Sequence, residues 1–436
     1  MQNKSSIVIL TLGFALFAMF FGAGNLILPP YIGLLAKDNW VEAILGFAAS
    51  GIVAPFLGII AVLKSGDSFT DLGKRVNLKL ALALATIIML CIGPIVAIPR
   101  TGATTFEVGI LPLMPEASAI WSSIIFFAIV LVLSISPSKI VDIIGGYLTP
   151  LLLILLTILV VVGILNPDII PQQSSVPPVD DFAMAFQEGY QTMDVLASVI
   201  FAGIIISAAK QKGFVNIKER TSIVFKSGLL AMGCLLFIYG GLIYLGATTD
   251  YQFTETSSRT QLLLHISTSI LGSYGTLAIS ISMALACLTT AIALTCAFGT
   301  FFAELTNNKF GYSEAVIMCT LVSALFAINS VDDIIAYAGS ILGFVYPITF
   351  ALVIYVVLFG NKIKEKQPYV VALLITAFIS FFRVLEHFKI GAEQINYFKG
   401  FIPLGSHNLE WVVPSFIGFI ITYLINKSAS KKTLST

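Results

Sequence analysis

The sequence predicts an all-α integral membrane protein with about twelve transmembrane helices. Composition is the first reason: of 436 residues, 57% are hydrophobic and 11% charged, whereas a soluble domain carries about 25% charged residues. The second is that apolar runs long enough to cross a bilayer recur along the whole chain, with a mean hydropathy of +0.97. Charge placement is the third. With the N-terminus in the cytoplasm, 18 of the 24 Lys and Arg fall in loops on that side, five on the other, and Arg100 lies within a span. This positive-inside bias fits an even number of spans and puts both termini in the cytoplasm. No soluble domain intervenes, so residues 1–436 read as one transmembrane domain.

The spans are expected at about 7–31, 41–63, 80–106, 119–135, 143–165, 191–209, 227–247, 273–302, 313–329, 334–359, 368–385 and 409–426. Span one exceeds a signal-peptide h-region and no small-x-small cleavage site follows it, so it reads as uncleaved. Its centre is interrupted by Phe21-Gly22-Ala23-Gly24-Asn25, and Pro29-Pro30 is expected to end it. Opened backbone at membrane depth survives only against protein or a water-filled cavity. The incoming half-helix offers free carbonyls around Ala18 to Phe21, which suit a cation. The outgoing half offers free amides near Gly24 and Asn25, which suit a carboxylate. Glycines placed simply for close helix packing are the plainer account.

Span three carries Pro94 and Pro99, five residues apart, which kink a helix and free carbonyls. Arg100 beside them needs a cavity or a partner. The candidate partners are Glu107, Asp194, Asp332 and Asp333, either as an outer gate or as a fixed structural pair; direct contact with a substrate carboxylate is a third, lesser reading. Spans four and five are plain apolar runs. The longest connections, 166–190 and 248–272, are expected to hold short surface helices. Span six brings Asp194, Ala197, Ser198 and Gly203; Asp194 is read as a helix cap or as a proton site. Span eight carries Thr289 and Thr290, hydroxyls that either ligate a hard monovalent cation or bond back to their own helix. Span ten contains Gly339, Ser340, Gly343 and Pro347, which line or flex a pathway or reflect ordinary tolerance in membrane helices. Spans one to five (7–165) and six to ten (191–359) have the odd counts that make inverted repeats, with two additional spans over 368–426.

Several chemistries are excluded or unsupported. A net charge of +1 without a basic patch gives no reason to expect a nucleic-acid partner. No G-x-x-x-x-G-K-[ST] occurs, so ATP does not drive the chain. The five cysteines lie in apolar runs without C-x-x-C spacing, and His265, His387 and His407 fall outside the spans. Asp180-Asp181 and Asp332-Asp333 read as solvated loop charge rather than metal ligands.

Three strings resemble one family. Phe20-Phe21-Gly22-Ala23-Gly24-Asn25-Leu26-Ile27-Leu28-Pro29-Pro30 is similar to the first-span signature of bacterial branched-chain amino acid:cation symporters, in the amino acid-polyamine-cation superfamily. Gly93-Pro94 through Arg100-Thr101 with Phe106-Glu107-Val108-Gly109 is a second match, and Ala286-Cys287-Leu288-Thr289-Thr290-Ala291 a third. The resemblance implies a leucine-transporter-like fold of two inverted five-span repeats plus two helices, in a bacterial cell membrane. It implies sodium at Thr289, Thr290 and the carbonyls of Ala18 and Phe21. The amino acid would lie against Phe21, Gly22, Ala23, Gly24 and Asn25 and against Ala197, Ser198 and Phe201 of span six.

The function expected is therefore uptake of leucine, isoleucine and valine coupled to inward sodium, without enzymatic activity or cofactor and with membrane lipid as the surrounding partner. Sodium is preferred over a proton because hydroxyls and carbonyls, not a central carboxylate or histidine, lie at depth. A proton-coupled carrier of another small solute is the alternative. A membrane enzyme lacks its nucleophile or metal motif, and a passive channel fits the interrupted helix less well.

Overall fold

The computed structural model describes residues 2–74, 76–135, 149–174, 176–254 and 257–433. Arg75, Lys139 and the expected opening of span five at 143–148 lie outside these. Among the described residues the chain is helical, without strands. Seven helices are long and apolar enough to cross a membrane, and five shorter apolar helices of 10–17 residues accompany them. Together, among the described residues, they cover the twelve expected spans, with Ser5–Phe20 as the first half of span one and Ala23–Ser65 taking in its second half and span two.

Span one is two half-helices, Gln2–Phe20 and Ala23–Ala36, parted at Phe21 and Gly22. The expected stop at Pro29-Pro30 is corrected: both prolines lie inside the second half, which continues to Ala36. Each proline removes one amide from the ladder, a loss that packed membrane helices tolerate. This half lies directly on span seven (Ile217–Ala247). A Cβ on Gly33 would stand 1.8 Å from the Ile243 carbonyl oxygen, and one on Gly246 would stand 2.0 Å from that of Pro30. Only glycine lets the backbones approach so closely. Span seven starts earlier than its apolar run because its charged first turns extend the helix, with the Asn216 side chain accepting from the Lys218 amide.

A 3-10 turn, Lys37–Asn39, leads into span two (Trp40–Ala48, a π turn at Ala49–Val53, then Ala54–Ser65). Span three runs from Leu78 to Ile110 with the expected kink. Gly93 and Val96 leave helical geometry between Leu78–Leu90 and Ala97–Thr104. Pro99 has no amide to offer the Ile95 carbonyl, which instead accepts from the Tyr337 hydroxyl at 2.9 Å. Spans four (Ala119–Ser134) and five (described over Thr149–Leu165) follow.

Span six is also interrupted, in a place the sequence did not suggest. Helix Pro178–Glu188 passes through a 3-10 turn, Gly189–Thr192, to Met193 in the left-handed region (φ 62°), and Asp194–Gln211 then begins. Pro178–Glu188 is therefore not the surface helix expected in 166–190. Asp181, Ala183, Ala185 and Phe186 are buried, and the Phe182 carbonyl lies so close to Gly46 of span two that a Cβ there would come within 2.2 Å. Asp181 is likewise corrected from solvated to buried. It accepts from Asn39 Nδ2 at 2.8 Å and from Ser174 Oγ at 3.1 Å.

The connection 248–272 holds helix Arg259–Leu271, as expected. Spans eight (Ser273–Leu305), nine (Tyr312–Phe326), ten (Val331–Phe359), eleven (Gln367–His387) and twelve (Val412–Thr433) complete the bundle. Span ten runs unbroken through Pro347. A short helix, Ala392–Phe401, between spans eleven and twelve was not anticipated.

Candidate substrate and ion site

The break in span one has a defined shape. Gly22 is extended (φ −108°, ψ −165°), and its amide donates to Asn25 Oδ1 at 3.3 Å. The Phe21 ring turns away from the break, stacking between Phe17 (centroids 4.9 Å apart) and Tyr239 (5.7 Å), so it fixes the interruption rather than facing a ligand. Among the described residues no acceptor pairs with the Ala23 or Gly24 amides, the first of the second half-helix.

At the other end of the break, the Thr290 hydroxyl reaches from span eight to the carbonyls of Ala18 (3.2 Å) and Phe21 (3.3 Å). A Cβ on Gly22 would stand 3.1 Å from Thr290 Cγ2, so the glycine admits the threonine. Three neutral oxygens thus converge at the carbonyl end of a half-helix, a donor set suited to a hard monovalent cation. Thr289, buried beside it, donates to its own helix at the Ala286 carbonyl (3.0 Å) and has lone pairs to spare.

Asp194 is the first residue of its helix, 3% exposed, and does not cap it. It lines a cavity at the break, so the expectation that no central carboxylate lies at depth is corrected. Its Oδ2 accepts from Asn25 Nδ2 at 2.7 Å, and the same amide donates to the Tyr239 hydroxyl at 2.5 Å. One asparagine therefore joins the two interrupted segments to span seven. Tyr239 escaped the sequence reading because an aromatic within an apolar run has no distinguishing pattern.

Arg100 reaches over the break from span three. Its Nη1 donates to the Gln191 carbonyl at 2.7 Å, and a Cβ on Gly24 would come within 2.7 Å of its Nη2. Glu107 is not its partner. That carboxylate accepts from the Val331 amide (2.9 Å) and the Thr260 hydroxyl (3.0 Å), tying span three to span ten and to helix Arg259–Leu271. Asp333 instead engages Ser330 in the cap of span ten.

These groups surround a small cavity of about 20 Å³, room for a water or an ion. Gly22, Ala23, Asn25, Arg100, Asp194 and Thr290 supply its polar wall. Met19, Phe20, Ile92, Ala197, Phe201 and Leu294 supply the apolar one. Of the expected substrate residues, Gly22, Ala23, Asn25, Ala197 and Phe201 line it; Phe21 turns away, Gly24 lies beneath the Arg100 guanidinium, and Ser198 stands apart. Its hydroxyl donates to Val195 at 2.7 Å and points at Gly58 of span two, where a Cβ would lie 2.0 Å from Oγ.

Comparison with known proteins settles the family. The model for "Branched-chain amino acid transport protein" matches residues 5–429. The chain belongs to that family. It is 34% identical over 435 residues to the branched-chain amino acid permease BraB of Bacillus subtilis, covering 97% of this chain and 95% of the relative. With the permease BrnQ of the same organism it shares 34% over 432 residues, 98% of each. These relatives are carriers, and the chain is a multi-pass membrane carrier rather than an enzyme. Among solved structures it resembles Mhp1, a nucleobase-cation-symport-1 family transporter, in a closed conformation with bromovinylhydantoin (TM-score 0.62, 14% identity, 98% of this chain and 93% of the other). It also resembles a Na+-coupled sialic acid symporter (TM-score 0.54, 12% identity, 88% and 89% covered). At such identities the likeness speaks for the fold, which is the leucine-transporter-like one expected.

Proposed function

We propose that this carrier takes up leucine, isoleucine and valine across the bacterial plasma membrane by alternating access, driven by inward sodium, with both termini in the cytoplasm. One observation carries the reading. The Thr290 hydroxyl meets the carbonyls of Ala18 and Phe21 on one side of the same break whose Gly22, Ala23 and Asn25 line the cavity on the other. An ion held at the first end orders the backbone that meets the solute at the second, so the two binding events are linked and each strengthens the other. The apolar wall, with Phe201 and Leu294, suits a branched aliphatic side chain. A methylene there discriminates by only about 1–3 kcal/mol, so the three amino acids compete. The first repeat spans about 7–165; the second, expected from 191, takes in Pro178–Glu188 as the leading half of its interrupted first helix and runs to about 359, with 368–426 outside both.

The test is leucine uptake by purified protein in liposomes, with sodium, proton and voltage gradients set independently. Accumulation that needs an inward sodium gradient and is competed by isoleucine and valine is the expected result. Uptake indifferent to sodium but following pH refutes sodium coupling.

A further inference from the structure

Arg100 and Asp194 line one cavity, and among the described residues neither has an opposite charge within ion-pair distance. Arg100 is 3% exposed, its Nε has no hydrogen-bond partner, and its guanidinium rests on Gly24 at the amino end of the second half-helix. Two positive ends therefore abut where water is scarce: the guanidinium and the unpaired amides of Ala23 and Gly24. Such a pairing is satisfied by an anion lodged between them. Asp194 supplies the opposite sign, its carboxylate held by Asn25 and reachable from the same space.

We infer that Arg100 and Asp194 grip the two ends of a zwitterionic amino acid. The guanidinium and the Ala23 and Gly24 amides take the substrate carboxylate, and the Asp194 carboxylate takes the ammonium. The cavity of about 20 Å³ is too small for a whole amino acid. The flexible arginine therefore moves off Gly24 as the carboxylate enters. A planar fork beside two backbone amides selects a carboxylate over a point anion. The inference rests on reading the cavity as an amino-acid site.

The experiment is binding of radiolabelled leucine to the purified protein, competed by leucinol, which has no carboxylate, and by 4-methylpentanoate, which has no ammonium. Wild type is expected to bind both at least about tenfold more weakly than leucine, the cost of leaving a buried charge unpaired. Arg100→Gln should weaken leucine about tenfold but leave leucinol nearly unchanged, so their ratio collapses. Asp194→Asn should do the same for 4-methylpentanoate. Arg100→Lys, which keeps the charge without the fork, should give an intermediate leucinol ratio and serves if Arg100→Gln does not fold. An Arg100 variant that weakens leucine and leucinol equally overturns the carboxylate assignment. An Asp194→Asn protein with altered sodium dependence but an unchanged 4-methylpentanoate ratio overturns the ammonium assignment. If wild type binds no leucine, the branched-chain reading fails by itself. The same ratios are then read with the amino acid that raises the thermal-unfolding midpoint, and the same two results overturn each assignment.

Discussion

Asn25 and Asp194 meet at 2.7 Å, side-chain amide to carboxylate, across the two interrupted segments of the bundle. The same asparagine receives the Gly22 amide and donates to Tyr239. Its side chain thus holds three elements in register at the point where their backbones are least self-sufficient.

Asn25→Ala strands the Asp194 carboxylate and leaves the Tyr239 hydroxyl without its donor. A buried charged acceptor left unpaired costs about 1–3 kcal/mol or more, so the thermal-unfolding midpoint in detergent should fall and leucine uptake should drop with it. An unchanged midpoint would mean that water replaces the asparagine at no cost.

Thr290→Ala removes the hydroxyl that meets the Ala18 and Phe21 carbonyls. The half-saturating sodium concentration for uptake should rise about tenfold, equivalent to about 1.4 kcal/mol, while Thr290→Ser stays near wild type. Thr289→Ala should raise it less, because that hydroxyl is already engaged with Ala286. The reverse order of effects would move the ion to Thr289.

Gly33→Ala and Gly246→Ala each drive a methyl group into the backbone of the facing helix. Overpacking of this kind costs about 1–3 kcal/mol, and both variants should unfold at lower temperature. Gly233, also on span seven, has nothing within 4 Å of its Cβ position, so Gly233→Ala is the matched control and should be neutral or slightly stabilising.

Arg383 forms a two-pronged ion pair with Glu410 (2.8 and 3.2 Å), and Glu410 is 1% exposed. Glu410→Gln leaves the guanidinium without its counter-charge. Breaking a buried pair from one side costs about 3–5 kcal/mol. The expected result is a marked loss of folded protein on size-exclusion chromatography. A normal elution profile and midpoint would show that the pair contributes little.

What the sequence revealed follows where the physics leaves a residue-type signature. The break at Phe21-Gly22 announced itself because glycines and an asparagine are conspicuous in an apolar run. Pro94 and Pro99 announced the kink for the same reason. The second interruption left no such mark. It turns on Met193, a residue with no preference for positive φ, held there by surrounding packing. The span-six contacts that the resemblance implies, Ala197, Ser198 and Phe201, lie further along that helix; Ala197 and Phe201 line the cavity, whereas Ser198 faces Gly58. Pro29-Pro30 misled in the opposite direction, since neighbouring helices let the chain continue past them. Arg100 was conspicuous as a charge in a span, but its resting place on Gly24 depends on the kink, which no spacing rule specifies.

Gly33 and Gly246 have one more consequence. Because they press the outgoing half of span one against span seven, main chain to main chain, torque applied at the break is handed to Tyr239's helix without slack. A tilt of either helix about the break at Phe21 and Gly22 would carry the other with it.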